Sequence, residues 1–255
     1  MKQTLQQIIL ATCLTLLAVA TAHAQLKTDA VADAETYNDL GVGQINVGNY
    51  SAAVELLNKA IQLRPQDPVK HFNLGTAYYL IRQYDLALVQ LQRAIDLYSQ
   101  YTSAYNQIGV VYSDIEQYDK AVAAFKEAIR QRPDDATSLF NLGSTYIRMK
   151  NYKAAVEPLV RTLTYQPDNP EALASLGYAY TQQRRYGKAI ALVRRAVILK
   201  PQLIEAQVLL GSLYLLTNDR SAAIKQYQIV RGFDADAAQT LYMQINQGRI
   251  VNAYK

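Results

Sequence analysis

Six glycines, Gly41, Gly75, Gly109, Gly143, Gly177 and Gly211, stand 34 residues apart along this chain of 255, with no insertion or deletion between them. A period of that length held over six copies rules out one central core, because each copy is a supersecondary unit that buries its apolar face only against its neighbours. Other positions keep the same phase. One residue before the glycine stand Leu40, Leu74, Ile108, Leu142, Leu176 and Leu210, and twelve after it Ala53, Ala87, Ala121, Ala155, Ala189 and Ala223. Tyrosine stands three residues after the glycine in every copy but the first, which has Gln44, and nine after it in every copy but the last, which has Arg220.

Within a copy the apolar residues are spaced as on one helix face, with Leu74, Tyr78 and Ile81 followed by Leu88, Leu91 and Ile95. Two helices result. The break between them falls at polar pairs such as Arg82-Gln83 and Lys150-Asn151, and Pro65, Pro133, Pro167 and Pro201 mark the exits. A glycine inside a helix costs about 0.5 to 1 kcal/mol relative to alanine. Six in one phase therefore need a compensating gain, which close approach of the first helix to the second, near the alanine position, supplies. Departures gather at the ends, with Gln44 in the first copy and Arg220, Val230 and Ala235 in the last, where one neighbour is missing. Ser99 and Thr162 are internal departures with no explanation in the sequence, and Pro158 removes a backbone hydrogen bond inside the second helix of the fourth copy. After the sixth copy, residues 237–247 read as a helix that covers the last apolar face.

The phase of Leu74-Gly75, Tyr78, Tyr84, Ala87, Leu91, Ala94 and the terminal proline resembles the tetratricopeptide repeat family, over about four-fifths of the chain. The resemblance implies an all-α, right-handed superhelical solenoid of stacked antiparallel helix pairs with a C-terminal capping helix. The expected organisation is a signal peptide at 1–24, a linker at 25–33, repeats at 34–67, 68–101, 102–135, 136–169, 170–203 and 204–237, and a capping helix with tail at 238–255.

The resemblance further implies that the first helix of each pair lines an inner face where partners sit. On that pattern Asn38, Phe72, Asn106 and Phe140 stand three before the glycine, Asn73 and Asn141 two before, Tyr178 one after and Tyr79 four after. Phe72 and Phe140 would then lie at equal height on alternate rungs of one groove. Rings flanked by amides suit an extended peptide, the rings giving apolar area and the amides pairing with its backbone. The same side chains also suit packing between repeats, and the sequence leaves both open. No lysine or arginine stands three before any of the glycines, so the clamp with which some family members grip a chain-end carboxylate is not expected.

Arg184, Arg185, Lys188, Arg194, Arg195 and Lys200 form a basic run with no acid among them, expected on the outer face. It reads as a solvated helix surface, or as a contact for an anionic envelope surface or an acidic partner.

The N-terminus differs from everything after it. Lys2, the apolar run from Ile8 to Ala20 and the small residues of Ala22-His23-Ala24 predict an exported protein, periplasmic or secreted, cleaved near Ala24. Cys13 sits inside the apolar run and not at its end, which argues against lipidation, and it is the chain's single cysteine. The mature chain would keep 25 basic against 21 acidic side chains, a mild excess that does not point to nucleic acid.

No nucleophile with its base, paired carboxylates, metal cage or phosphate loop is present in the sequence, so no catalytic residue, cofactor or metal is expected. His71 takes a position filled elsewhere by Tyr37, Tyr105 and Leu139, and reads as a packing residue. The expectation is a noncatalytic scaffold that binds a protein or peptide in an envelope assembly. The alternatives are a pilot-type factor for outer-membrane pilus or secretin assembly, and an accessory subunit of a cell-wall or glycan enzyme. A homodimer contact is expected first in the tail after Gly248.

Overall fold

The computed structural model describes residues 32–247, all of whose regular structure is helical. The signal peptide with Cys13 and Ala24, most of the linker and the tail from Gly248 lie outside the described residues. Thirteen helices follow one another: α1 (residues 32–46), α2 (Tyr50–Leu63), α3 (Pro68–Leu80), α4 (Tyr84–Leu97), α5 (Thr102–Asp114), α6 (Tyr118–Gln131), α7 (Ala136–Arg148), α8 (Tyr152–Tyr165), α9 (Pro170–Gln182), α10 (Tyr186–Leu199), α11 (Ile204–Leu216), α12 (Arg220–Phe233) and α13 (Ala235–Gln247). Odd-numbered helices from α3 to α11 start at Pro68, Thr102, Ala136, Pro170 and Ile204, and even-numbered ones at Tyr50, Tyr84, Tyr118, Tyr152, Tyr186 and Arg220, so both series advance by 34.

The turn inside each pair is the same device each time. Gly48, Arg82, Glu116, Lys150, Arg184 and Asn218 all adopt a left-handed φ, from 59° to 81°. At the α3–α4 turn the Arg82 N–H donates to the Tyr79 carbonyl and the Gln83 N–H to the Tyr78 carbonyl, both at 2.9 Å, and this satisfies the carbonyls that the end of α3 leaves open. Three of the turns between pairs, α2–α3, α6–α7 and α8–α9, stop on proline and restart on a capping side chain. Asp67, Asp135 and Asn169 accept hydrogen bonds from the first-turn N–H groups of Val69, Ser138 and Ala172, with proline at the first position of α3 and α9.

The chain divides into two compact units, with the boundary after Val111, inside α5. In the first unit α3 packs on both α2 and α4. Ala53, Leu57, Leu74 and Ala77 form its buried core. A methyl group placed on Gly75 would stand 2.8 Å from Leu91 Cγ and 3.2 Å from the Ala87 carbonyl oxygen, so the glycine lets α3 lie against α4 beside the alanine position.

A feature with no counterpart in the repeat pattern ties α1 to this unit. Lys70, in the position filled by Ala104, Ala172 and Ala206 in later copies, is 1% exposed. Its Nζ reaches Glu35 Oε1 on α1 and Asp67 Oδ2, each at 2.9 Å, and Arg64 also contacts Glu35 at 2.9 Å. His71 beside it is a packing residue as expected, with Nε2 donating to the Pro65 carbonyl at 3.0 Å and Nδ1 2.7 Å from Gln90 Oε1.

In the second unit each helix from α6 to α12 packs on the next, and α13 lies on both α11 and α12. The core runs through Ala155, Leu159, Leu176 and Ala179, then through Leu173, Tyr178, Val193, Leu209 and Leu213. Gly143 faces Leu159, with 2.6 Å from an added methyl to Leu159 Cγ. Gly211 differs, because the atom it makes room for is on Leu241 of α13, at 2.5 Å. The capping helix closes over Val208, Ala223 and Val230, and Ser212 donates to Gln244 Oε1 at 2.6 Å in the buried seam.

Two oddities resolve in this unit. Thr162 is fully buried where four other copies have alanine, and its hydroxyl donates to the Pro158 carbonyl at 2.9 Å. Gln207 and Gln226 hydrogen-bond to each other, and Gln207 donates to the Pro201 carbonyl at 2.7 Å. These are the positions of His71, Gln90 and Pro65 four copies on, so a polar residue on the first helix is matched by a polar one on the second.

Candidate functional site

In the first unit the inner-face positions of α3 form a mixed aromatic and amide surface. Val69 is 45% exposed and Phe72 half-buried. The Phe72 ring lies 5.1 Å from that of Tyr101, which in turn lies 6.0 Å from Tyr98, itself 50% exposed. Burial and the neighbouring Asp67 carboxylate push the Tyr101 phenol up. Tyr79 is half-buried with its ring 6.1 Å from Tyr84, and Asn106 on α5 is half-buried too.

Asn73 is half-buried and donates to Asn38 Oδ1 at 2.8 Å. Asn38 is 6% exposed and passes its own amide hydrogen to Asp39, 3.3 Å away. Of the two readings open for these groove candidates, the hydrogen bond between repeats is the one seen: Asn73 and Asn38 link α3 to α1, and Asn38 is a buried structural residue.

In the second unit Phe140 is half-buried and packs against the Leu159 and Leu176 cluster. Asn141 is half-buried beside it, its carbonyl accepting from the Thr145 hydroxyl at 2.8 Å. Tyr178 corrects the sequence expectation of open aromatic surface. It is 5% exposed, sits in the core with its ring edge-on to Tyr152 at 5.8 Å, and its phenol is pushed up to about 12 by burial and by Tyr152. Its position follows Gly177, where neighbouring helices come closest, so a ring there fills the seam.

Arg148, which sequence reasoning did not single out, spans two helices of this unit, donating to the Ser113 hydroxyl at 2.9 Å and contacting Asp114 at 3.3 Å, with its guanidinium over the Tyr118 ring. A cavity of about 330 Å³ lies beside it, lined by Glu116, Gln117, Tyr118, Asp119, Lys120 and Met149.

The basic run does not form one outer face. Arg195 pairs with Asp168, and Lys200 with Glu171 at 2.6 Å, so its C-terminal half is answered by acids 27 and 29 residues earlier. The Lys200 hydrogen bond outweighs burial and holds Glu171 below its ordinary value. Arg194 is exposed. Arg184 and Arg185 belong to the turn before α10, and Arg185 and Lys188 flank the Tyr180 ring at 4.7 and 5.8 Å. Among the described residues no group of three or more His, Cys, Asp or Glu is arranged to hold a metal, and no helix is long and apolar enough to cross a membrane.

Models of the tetratricopeptide repeat match residues 101–168 and 144–204, and a TPR-repeat model matches 47–81. The chain belongs to the tetratricopeptide repeat family. Such repeats typically act as noncatalytic scaffolds that bind protein or peptide partners. Among solved TPR-like structures, that of Pseudomonas aeruginosa pilF aligns with a TM-score of 0.74 at 20% identity, over 86% of this chain and 99% of that one. YrrB, described as a TPR protein with an unusual peptide-binding site, aligns at 0.62 and 21% identity over 73% of this chain and 97% of its own. MamA aligns at 0.58 and 22% identity over 67% and 93%. These likenesses show the fold. A search of curated proteins found no match.

Proposed function

We propose that this TPR protein is an exported, noncatalytic scaffold that captures a segment of a partner protein on the inner faces of its odd-numbered helices, within an envelope assembly. The observation that carries the reading is the surface of Val69, Phe72, Tyr98 and Tyr101 in the first unit, where aromatic rings remain partly open after the repeats have packed. Partly exposed rings supply contact area with little side-chain entropy to lose, and they sit on rigid helices that need no reordering to receive a ligand. Phe140, half-buried as well, offers a ring of the same kind in the second unit.

The test is site-specific photo-crosslinking in the producing cells, with the probe at Phe72 or Phe140 and, as a control, at exposed Val89 or Ile198. The inner-face probes are expected to trap one defined partner that the control probes miss, and Phe72→Ala is expected to weaken capture at least tenfold, the loss of about 1.4 kcal/mol or more typical of an interface anchor. Equal trapping from all four positions, or capture indifferent to Phe72→Ala, would overturn the reading.

A second reading, a pilot-type factor for outer-membrane pilus or secretin assembly, draws support from the fold match to pilF along 99% of that chain. Under it the trapped partner would be a secretin subunit.

A further inference from the structure

We propose that the turn edge shared by the α7–α8 and α9–α10 pairs is a docking surface for an anionic phospholipid bilayer. Five side chains carry it: Lys150 and Lys153 at the first turn, and Arg184, Arg185 and Lys188 at the second, all exposed. The Gln183 side chain donates to the Tyr152 carbonyl at 2.9 Å, which joins the residue before Arg184 to the residue before Lys153 and makes the two turns neighbours. The five cations therefore form one band.

Two further observations set this band apart from a solvated helix face. No acidic residue occurs from 136 to 156 or from 172 to 204, and among the described residues none of the five is in an ion pair, whereas Arg195 and Lys200 at the other end of α10 are both answered by carboxylates. The half-buried Tyr180 ring, packed into the core, also holds the Arg185 and Lys188 heads beside it. Glu116 and Asp119 on the turn before the band and Asp219 on the turn after it limit it to these two turns.

A bilayer is the occupant that this chemistry favours. An acidic peptide needs enclosed anchors for affinity, yet the exposed large apolar side chains lie elsewhere on the chain and the band itself is a row of long, solvated cations. A lipid surface requires no cavity, only several unanswered charges along one edge, each worth about a fivefold gain in binding to anionic headgroups.

The test is co-sedimentation of the purified full chain with vesicles of phosphatidylcholine alone and with vesicles containing phosphatidylglycerol. The wild type is expected to bind the anionic vesicles in preference, with binding lost at high salt. The triple variant Lys153→Glu, Arg184→Glu, Lys188→Glu is expected to bind about 100-fold more weakly, from a fivefold loss at each position. A control triple with the same charge change in the same unit, Arg194→Glu, Lys225→Glu, Arg231→Glu, is expected to stay close to the wild type. Insertion of the apolar N-terminal segment would be indifferent to both lipid charge and these variants. Should the first triple fail to fold, Lys153→Glu alone carries the test at about fivefold. Equal losses in both triples would mean that net charge alone acts, binding of polyglutamate without vesicles would point to an acidic protein, and wild-type indifference to lipid charge would end the proposal.

Discussion

Asp67→Ala is expected to lower the stability of the first unit by about 3 kcal/mol, because it strips one of two carboxylates from a buried lysine and leaves only the half-exposed Glu35 to answer it. Lys70 is 1% exposed and held by Asp67 and Glu35 at 2.9 Å each. The substitution also deletes the cap on the Val69 N–H, worth about 1 kcal/mol. Asp67→Asn keeps an oxygen for the cap and isolates the charge. Lys70→Ala should be milder than Asp67→Ala, since it removes the buried charge itself, leaves Arg64 near both carboxylates and places there the residue found in three other copies.

The same network has a pH signature. Burial raises the Asp67 carboxyl, but the hydrogen bonds from Lys70 and the Val69 N–H and the charges of Lys70 and Arg64 outweigh it, so the group lies below its ordinary value of 3.8. A depressed carboxylate contributes stability that is fully present above that ordinary value and is lost as pH falls through the folded one. Denaturant titrations of wild type and Lys70→Ala should therefore converge as the solution is acidified below the ordinary range. Hydrogen exchange localised to α1 and α3 checks where the loss falls, and a Lys70→Ala variant as unstable as Asp67→Ala would contradict the ion-pair account.

Gly143→Val is expected to cost about 3 kcal/mol, while Gly187→Ala in the same unit should add about 0.5 to 1 kcal/mol. Both glycines are helical, and they differ in what a side chain would meet. Around Gly143 an added methyl finds all three outer carbons of Leu159 within 3.4 Å, around a residue with no exposure, whereas around Gly187 it finds nothing within 4 Å. Leu159→Ala alone should cost about 2 to 5 kcal/mol, and Gly143→Ala should recover part of that by filling the vacated space. Thermal or denaturant melts of Gly143→Val, Gly187→Ala, Gly143→Ala, Leu159→Ala and the Gly143→Ala/Leu159→Ala double decide the matter. Additive losses in the Gly143/Leu159 pair would mean that the two do not touch.

The period of 34, the two helices per copy and the cap were legible because they depend on positions that every copy repeats. Contacts that belong to a single copy were less so. Tyr178 and Asn38 occupy nominal inner-face positions, yet one fills a helix seam and the other is consumed by Asn73, and exposure at such a position depends on the neighbouring copy's side chains more than on its own phase. The basic run read as uniform because Asp168 and Glu171, which answer its far half, lie 27 and 29 residues upstream, Asp168 in the preceding copy and Glu171 at the start of the same one. Lys70 carried a usable signal that went unread. A lysine stands where Thr36, Ala104, Ser138, Ala172 and Ala206 occupy the same phase, and a charge in a small-residue slot implies that a counter-charge waits beside it.

The seating of α13 decides how long this array can be. With Leu241 lodged over Gly211 and Gln244 sealed against Ser212, the surface on which a seventh pair, or the leading helix of another copy, would have to land is already occupied. Growth at that end is stopped by a plug with its own hydrogen bond. Lengthening the ladder by grafting would first require evicting it.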